Sequence, residues 1–307
     1  MITLGIDTSN YTTSVAVYDG SSYKHSRKIL DVKEGMRGIR QSDGVFIHNR
    51  ELPAMIEERL VESGRSISAV GVSTRPRSVK GSYMPVFTVG HGYARSVAAA
   101  LGAKLFEFSH QDGHIMAGIY SANALDLLNA PFISVHLSGG TTEILRTEYN
   151  SAGFRNEIIG GTLDISAGQL IDRTGVAMGM KFPCGRELEQ LANKADECFK
   201  LPVSVKGAYM NLSGAETKLL RGISGKDPKT ARSVIIYIRD VLAKTIDRAA
   251  ADTGIKKVLV VGGVASNMMI REGLKSLLKP EVYFGSPELS SDNAVGVAIL
   301  AALAAKG

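Results

Sequence analysis

Two histidines in His110-Gln-Asp-Gly-His114 stand four positions apart. On an α-helix that spacing puts both imidazoles on one face, where they can share one metal ion. Ser109 reads as the N-cap of such a helix and Asp112 as its third residue, so both rings fall in the first turns. The chain has only 6 histidines in 307 residues, and a third, His136, ends the apolar run Pro131-Phe-Ile-Ser-Val-His136. That run reads as a strand entering a glycine turn. Asp292, in Ser290-Ser-Asp-Asn-Ala294, either supplies a carboxylate or caps the last Ala-rich helix. Imidazole and carboxylate donors suit zinc, iron or manganese.

The elements that must carry these residues contain a faint duplication. Ile2 to Val17 is strand, polar turn, strand, and Phe132 to Leu145 repeats the arrangement, each turn ending in Thr-Thr. Such turns offer amides and hydroxyls that suit phosphate oxygens. A third element, Lys257-Val-Leu-Val-Val-Gly-Gly-Val-Ala-Ser-Asn267, is a buried-type strand, two glycines and the start of a helix, where a ligand can approach the backbone. Further helices are expected at Pro53 to Ser63, Gly90 to Leu101, Ala231 to Thr253 and Asp292 to Lys306. A boundary near Ala122 to Pro131 divides the chain into an N-terminal domain, 1–125 plus 292–307, and a C-terminal domain, 126–291.

Composition is that of a globular protein, 44% apolar and 21% charged, with net charge +6. Part of the excess is local. Lys24, Arg27, Lys28, Lys33, Arg37, Arg40 and Arg50 outnumber Asp31, Glu34 and Asp43, and Arg75, Arg77 and Lys80 follow. This segment is either a solvated face or a phosphate-binding one. Aromatics are 6% and Trp is absent, so no extended base-stacking platform is expected, and shape and backbone contacts should dominate any RNA binding. Met1 to Asp7 has no basic leader and runs straight into a strand pattern, and Ala294 to Ala305 is too short to span a bilayer. No signal peptide and no membrane contact are expected. Cys184 and Cys198 form no disulfide framework and fit a reducing cytoplasm, with Cys184 a spectator thiol rather than a nucleophile.

The motifs Gly5-Ile-Asp-Thr-Ser9, His110-Gln-Asp-Gly-His114, Leu137-Ser-Gly-Gly140, Leu170-Ile-Asp-Arg173, Phe182-Pro-Cys-Gly185, Leu212-Ser-Gly214, Gly262-Gly-Val-Ala-Ser-Asn267 and Ser291-Asp-Asn293 occur in this order over nearly the whole chain. Together they resemble the TsaD family of tRNA N6-threonylcarbamoyladenosine transferases. The resemblance implies an α/β fold of duplicated actin-like ATPase domains, the actin, Hsp70 and sugar-kinase architecture, with a nucleotide in the interdomain cleft. It implies one divalent ion, iron or zinc, on His110, His114 and Asp292, with His136 where some relatives place a liganding tyrosine. By similarity, His136, Leu137, Ser138, Gly139, Gly140, Thr141, Asp172, Gly185, Glu189, Gly262, Gly263 and Asn267 line an ATP, AMP or acyl-adenylate site. Asp172 or Glu189 can accept from ribose hydroxyls. Asp7 is a candidate to orient a water or the attacking amine.

The implied activity is metal-assisted transfer of a threonylcarbamoyl group to adenosine in tRNA, with the family's partner proteins. Departures from the family pattern are also plain. Ser138-Gly-Gly-Thr-Thr142 lacks a histidine usual after the glycines, Asn10-Tyr-Thr-Thr13 replaces an acidic, cysteine-containing stretch, Gly168 to Arg173 lacks a glutamate, and Arg37 to Pro53 differs. They keep open a divergent paralogue that binds ATP as a regulatory or scaffold subunit, or a sugar-kinase-type phosphotransferase. The H-E-x-x-H pattern of a zinc protease is absent.

Overall fold

The computed structural model describes residues 1–9, 11–30, 39–64, 66–151, 153–223 and 225–306. Asn10 of the first turn, and Asp31, Lys33, Glu34, Arg37 and Gly38 of the basic segment, lie outside the described residues. Contacts divide the chain into two units: Met1–Asn123 with Tyr149–Arg155 and Ser291–Gly307, and Ala124–Glu148 with Asn156–Ser290.

In the first unit the order is β1 (Thr3–Ser9), β2 (Thr12–Tyr18), β3 (Tyr23–Ile29), α1 (Gln41–Glu62), β4 (Ala69–Arg75), α2 (Phe87–Leu101), β5 (Lys104–Ser109) and α3 (His110–Ser121). The second unit runs β6 (Phe132–Leu137), β7 (Thr142–Asn150) and β8 (Gly153–Thr162), whose adjoining ends Tyr149–Arg155 count with the first unit, then α4 (Ala167–Ala177), α5 (Gly185–Ala192), the short β9 (Val205–Lys206) and β10 (Tyr209–Met210), α6 (Ser213–Leu220), α7 (Pro228–Thr253), β11 (Lys257–Val261), α8 (Met268–Leu277) and β12 (Glu281–Phe284). The last helix, α9 (Val295–Ala304), belongs to the first unit. Among the described residues no helix is long and apolar enough to cross a membrane.

The first sheet has the order β3-β2-β1-β4-β5, with β1, β4 and β5 parallel. Side chains alternate across a strand, so β1 presents two different surfaces. Leu4 and Ile6 join Val15, Val70 and Val72 in a core that also holds Leu52 and Ile56 of α1 and Val89, Ala94 and Ala98 of α2. Thr3, Gly5, Asp7 and Ser9 point the other way, and there the strand carries small or polar residues because α9 lies against it. The Thr3 hydroxyl donates to the Ala298 carbonyl at 2.8 Å. A Cβ on Gly5 would meet the Ala294 carbonyl oxygen at 2.3 Å, and one on Gly71 of β4 the Val297 oxygen at 2.2 Å. Helices α3 and α9 approach equally closely, since a Cβ on Gly296 would lie 1.9 Å from the Gly113 carbonyl oxygen. Glycine is needed there for want of space.

The second sheet, β12-β11-β6-β7-β8-β10-β9, pairs β6 parallel to β11 and antiparallel to β7. Val234, Ile235, Ile238, Val241, Leu242 and Ile246 of α7 pack into one core with Ile133, Val135, Val258 and Val260. Both hairpins read from the sequence are present, as is the strand, glycine turn and helix of Lys257 to Asn267.

Several boundaries differ from expectation. Helix α1 begins at Gln41 and holds Pro53 inside it, where a first-turn proline was expected. Gly44, His48, Leu52 and Ile56 form a buried stripe at i, i+4 spacing across the proline, so packing outweighs the lost backbone hydrogen bond. Helix α2 starts at Phe87 rather than Gly90. Asp227 caps α7 by accepting from Lys229 and Thr230 N–H at 3.2 and 2.9 Å, with Pro228 at the first helical position, ahead of the expected Ala231. Helix α9 starts at Val295, not Asp292, whose carboxylate is engaged elsewhere.

A Gly296→Ala substitution tests the close helix contact. It should destabilise by about 1–3 kcal/mol, since neither backbone can yield cheaply, and lower Tm by several degrees in a thermal melt. Gly92→Ala, on α2 with nothing within 4 Å of the added carbon, should leave Tm unchanged or raise it.

Candidate metal centre

β5 ends at Ser109, whose hydroxyl accepts from Asp112 N–H at 3.1 Å while the Asp112 carboxylate accepts from Ser109 N–H at 2.9 Å. This capping box starts α3 at His110, as the sequence suggested. The two imidazoles then share one face. His110 Nε2 and His114 Nε2 are 3.0 Å apart, and Asp292 Oδ1 lies 3.4 Å from the first and 3.2 Å from the second. Among the described residues these three form a group able to hold a metal ion. Donors bonded to one ion at about 2.1 Å and separated by roughly 90–110° lie about 3.0–3.4 Å apart, so the observed triangle fits a single ion. Two imidazoles and one carboxylate are also a donor set suited to zinc or iron.

The surroundings hold each donor in place. Asp7 is fully buried; its Oδ2 is 2.6 Å from His110 Nδ1 and its Oδ1 accepts from Ser9 N–H at 2.8 Å. A carboxylate can only accept here, so Nδ1 carries the proton and the Nε2 lone pair faces the centre. Asp7 therefore stands behind the imidazole rather than where a water or amine would be activated. Asp292 Oδ2 accepts from Ser9 Oγ at 3.1 Å and Thr12 Oγ1 at 3.3 Å. Ser14 Oγ accepts from Ala294 N–H at 2.8 Å, and the Arg27 guanidinium donates to Ser291 Oγ. Ser9, Thr12, Ser14 and Arg27 all lie on the α9 face of the sheet, because Ser9 pairs with Thr12, Asp7 with Ser14 and Ser14 with Arg27. The sequence reading missed the service of these hydroxyls to Asp292. Period-two counting from Asp7 would have found Ser9.

On the opposite face, Thr13 Oγ1 sits 2.8 Å from His48 Nδ1 and 3.1 Å from Glu51 Oε2, with Lys28 2.9 Å from that carboxylate. Burial holds the His48 pKa below the ordinary histidine value despite the charges of Asp7 and Glu51. At the centre the balance reverses. Burial opposes charge on His110, but Asp7 and Asp292 outweigh it and hold its pKa well above the usual value. Burial likewise opposes the Asp292 charge, and the hydrogen bonds from His110 and His114 hold that carboxyl well below the ordinary range. The cluster attracts positive charge, so a metal ion competes there with protons.

The remaining candidates lie on the second unit. His136 is the next-to-last residue of β6, paired with Glu143 of β7 and Val261 of β11, and is not among the converging donor atoms. The turn Ser138 to Thr141 is closed by Ser138 N–H to Thr141 O at 2.8 Å and Thr141 N–H to Ser138 Oγ at 3.0 Å. Gly262, at φ +101°, abuts the Leu137 carbonyl, and Gly263 follows it. Asn267 caps α8 by accepting from Ile270 N–H at 3.0 Å, and Glu189 Oε1 accepts from Met268 N–H at 2.6 Å. Asp172 Oδ1 accepts from Cys184 N–H at 2.7 Å, just ahead of Gly185 at the start of α5. Each of the two carboxylates thus spends one oxygen on a helix start. Burial, with the charges of Asp172 and Glu187, pushes the Cys184 thiol up to about 11, which leaves it a packing group.

The fold is that of actin-like ATPases and sugar kinases. The ROK hexokinase of Thermus thermophilus matches 100% of this chain and 99% of its own at TM-score 0.56 and 16% identity. T. kodakarensis HypF matches 99% of the chain at TM-score 0.67 and 14% identity, and this chain spans about half of that longer protein, 47%. In sequence, residues 38–299 match the model of the TsaD family, tRNA N6-adenosine threonylcarbamoyltransferase. A Thermus thermophilus protein of that name is 31% identical over 98% of this chain and 92% of its own. A Methanothermobacter thermautotrophicus relative, described as a probable bifunctional tRNA threonylcarbamoyladenosine biosynthesis protein, is 31% identical over 100% of this chain and 56% of its own. The chain belongs to the TsaD family.

Replacing Asp7 by Asn would keep the shape and remove the charge behind His110. Zinc affinity, read by competition with a chromophoric chelator, should fall about 10–100-fold, while Tm stays within a few degrees. Unchanged affinity would exclude the orienting role.

Proposed function

We propose that this protein transfers a threonylcarbamoyl group from threonylcarbamoyl-AMP to N6 of adenosine in tRNA. The observation that carries the reading is the convergence of His110, His114 and Asp292 within a member of this family. In the reaction the adenosine amine attacks the carbamoyl carbonyl, a C–N bond forms, the bond to the phosphate oxygen breaks, and AMP departs while the amine loses a proton. A divalent ion, zinc or iron, would supply Lewis-acid stabilisation of the developing charge at the carbonyl or phosphate.

The protein's own residues do the positioning. His110, His114 and Asp292 hold the ion in this proposal. Asp7 fixes the His110 tautomer, and Ser9 and Thr12 fix the rotamer of Asp292. The Thr141 hydroxyl and the amides of Gly139 and Gly140 receive phosphate oxygens, Ser138 closes their turn through its bonds with Thr141, and Gly262 and Gly263 admit the nucleotide close to the backbone. Asp172 and Glu189 each keep an oxygen for ribose hydroxyls, while Gly185 and Asn267 shape the helix starts beside them. Orientation and charge stabilisation carry the rate. The protein works in the cytoplasm with the family's partner proteins, and its cationic first unit meets the tRNA.

Incubation with threonylcarbamoyl-AMP, unmodified tRNA and the partner proteins should yield the modified nucleoside and one AMP per transfer, read by mass spectrometry. Asp292→Ala should lower the rate at least about 100-fold. An inert wild-type protein holding its metal would overturn the assignment.

A further inference from the structure

From Ser63 to Phe106 the sequence contains no Asp or Glu, yet it carries Arg65, Arg75, Arg77, Lys80, Arg95 and Lys104. Three of these cations fall at the end of β4 and in the loop that leads from it to α2. That loop is anchored to the turn of α3 bearing the metal-site histidines. Gln111 N–H donates to Pro76 O at 3.1 Å, and Ser78 Oγ donates to Asp112 Oδ2 at 2.9 Å. Arg77 N–H donates to Ser82 Oγ at 3.0 Å and Ser82 N–H to Val79 O at 3.1 Å, so the tip is folded on itself. Past these anchors Val79, Lys80, Gly81 and Tyr83 face solvent, while Arg75 and Arg77 are half-buried. Val79 is 54% exposed and Tyr83 66%, while Arg75 donates to Thr74 Oγ1 at 3.0 Å and its charge acts on the buried Asp112 carboxyl.

A stretch rich in cations, with no carboxylate of its own and with the neighbouring Asp112 buried, attracts phosphates, and cations strung along a loop meet successive phosphates of a polymer. A small anion would need donors that converge on one point. An exposed phenol ring beside them offers a face for an unpaired base, which a duplex does not present. We propose that this loop, through Arg75, Arg77, Lys80 and Tyr83, is the surface on which a single-stranded loop of RNA docks beside the metal centre. The inference rests on the tRNA reading above and adds where the RNA sits. One base stacks on Tyr83, the phosphates on either side lie against the three cations, and the anchors to Gln111 and Asp112 hold the strand next to His110 and His114.

The test is fluorescence anisotropy with a labelled stem–loop RNA carrying adenosine in its loop, against the full-length zinc-loaded protein over a range of salt. Replacing Arg75, Arg77 and Lys80 together by Gln should weaken binding at least about tenfold and reduce the slope of log affinity against log salt by about 2. Tyr83→Ala should cost about tenfold and Tyr83→Phe almost nothing. Zinc per chain should not change in any variant, which shows that the fold and centre persist. Removing Lys218, Lys244 and Lys275, exposed on the second unit, should leave the affinity close to wild type. If wild type binds the RNA and the triple loop variant binds it equally well, or the second-unit variant loses as much, the surface is wrong while the tRNA reading stands. A wild-type protein that binds no RNA removes both.

Discussion

Two imidazole nitrogens and a carboxylate oxygen held 3.0–3.4 Å apart need a proton or a metal ion among them. A lone pair on each nitrogen, turned toward the same point, would otherwise repel its neighbour. Much of the first unit serves this one constraint. Asp7 places negative charge behind His110, Ser9 and Thr12 hold Asp292, and Ser14 and Arg27 pin the chain on either side of that carboxylate.

The means are those of strand and helix geometry. Alternation along β1 sends Leu4 and Ile6 into the core and Asp7 and Ser9 to the site, and a register slip of one residue would exchange them. Small residues at Gly5 and Gly71 let α9 lie on the sheet, and Gly113 with Gly296 lets α3 lie against α9. Gly113 stands directly before His114. The close helix contact and the histidine pair are therefore parts of one arrangement, in which backbone proximity brings together side chains distant in sequence.

Much of this was legible in the sequence. The His110–His114 spacing, the capping residues Ser109 and Asp112, the two hairpins and the Gly262-Gly263 turn each follow from local rules, and the order of motifs indicated the duplicated fold. What local rules miss depends on partners distant in sequence. Pro53 looks like a helix start until the buried stripe from Gly44 to Ile56 is seen to run through it. Asp292 looks as much like a cap as a ligand until the fold sets it against α3. Asp7 looks available for catalysis, but burial and the contact with His110 give it another task. The apparent suitability of the first hairpin turn for phosphate oxygens similarly hides that its hydroxyls grip a carboxylate of the protein itself.

X-ray absorption on protein loaded with one equivalent of zinc reads the shared site from the ion outward. One tightly held ion is expected, with nitrogen and oxygen donors at about 2.0–2.1 Å and an imidazole signal that weakens by one ring in His110→Ala and again in His114→Ala. An ion bound through sulfur, or an imidazole signal indifferent to both substitutions, would contradict a centre built on these three side chains.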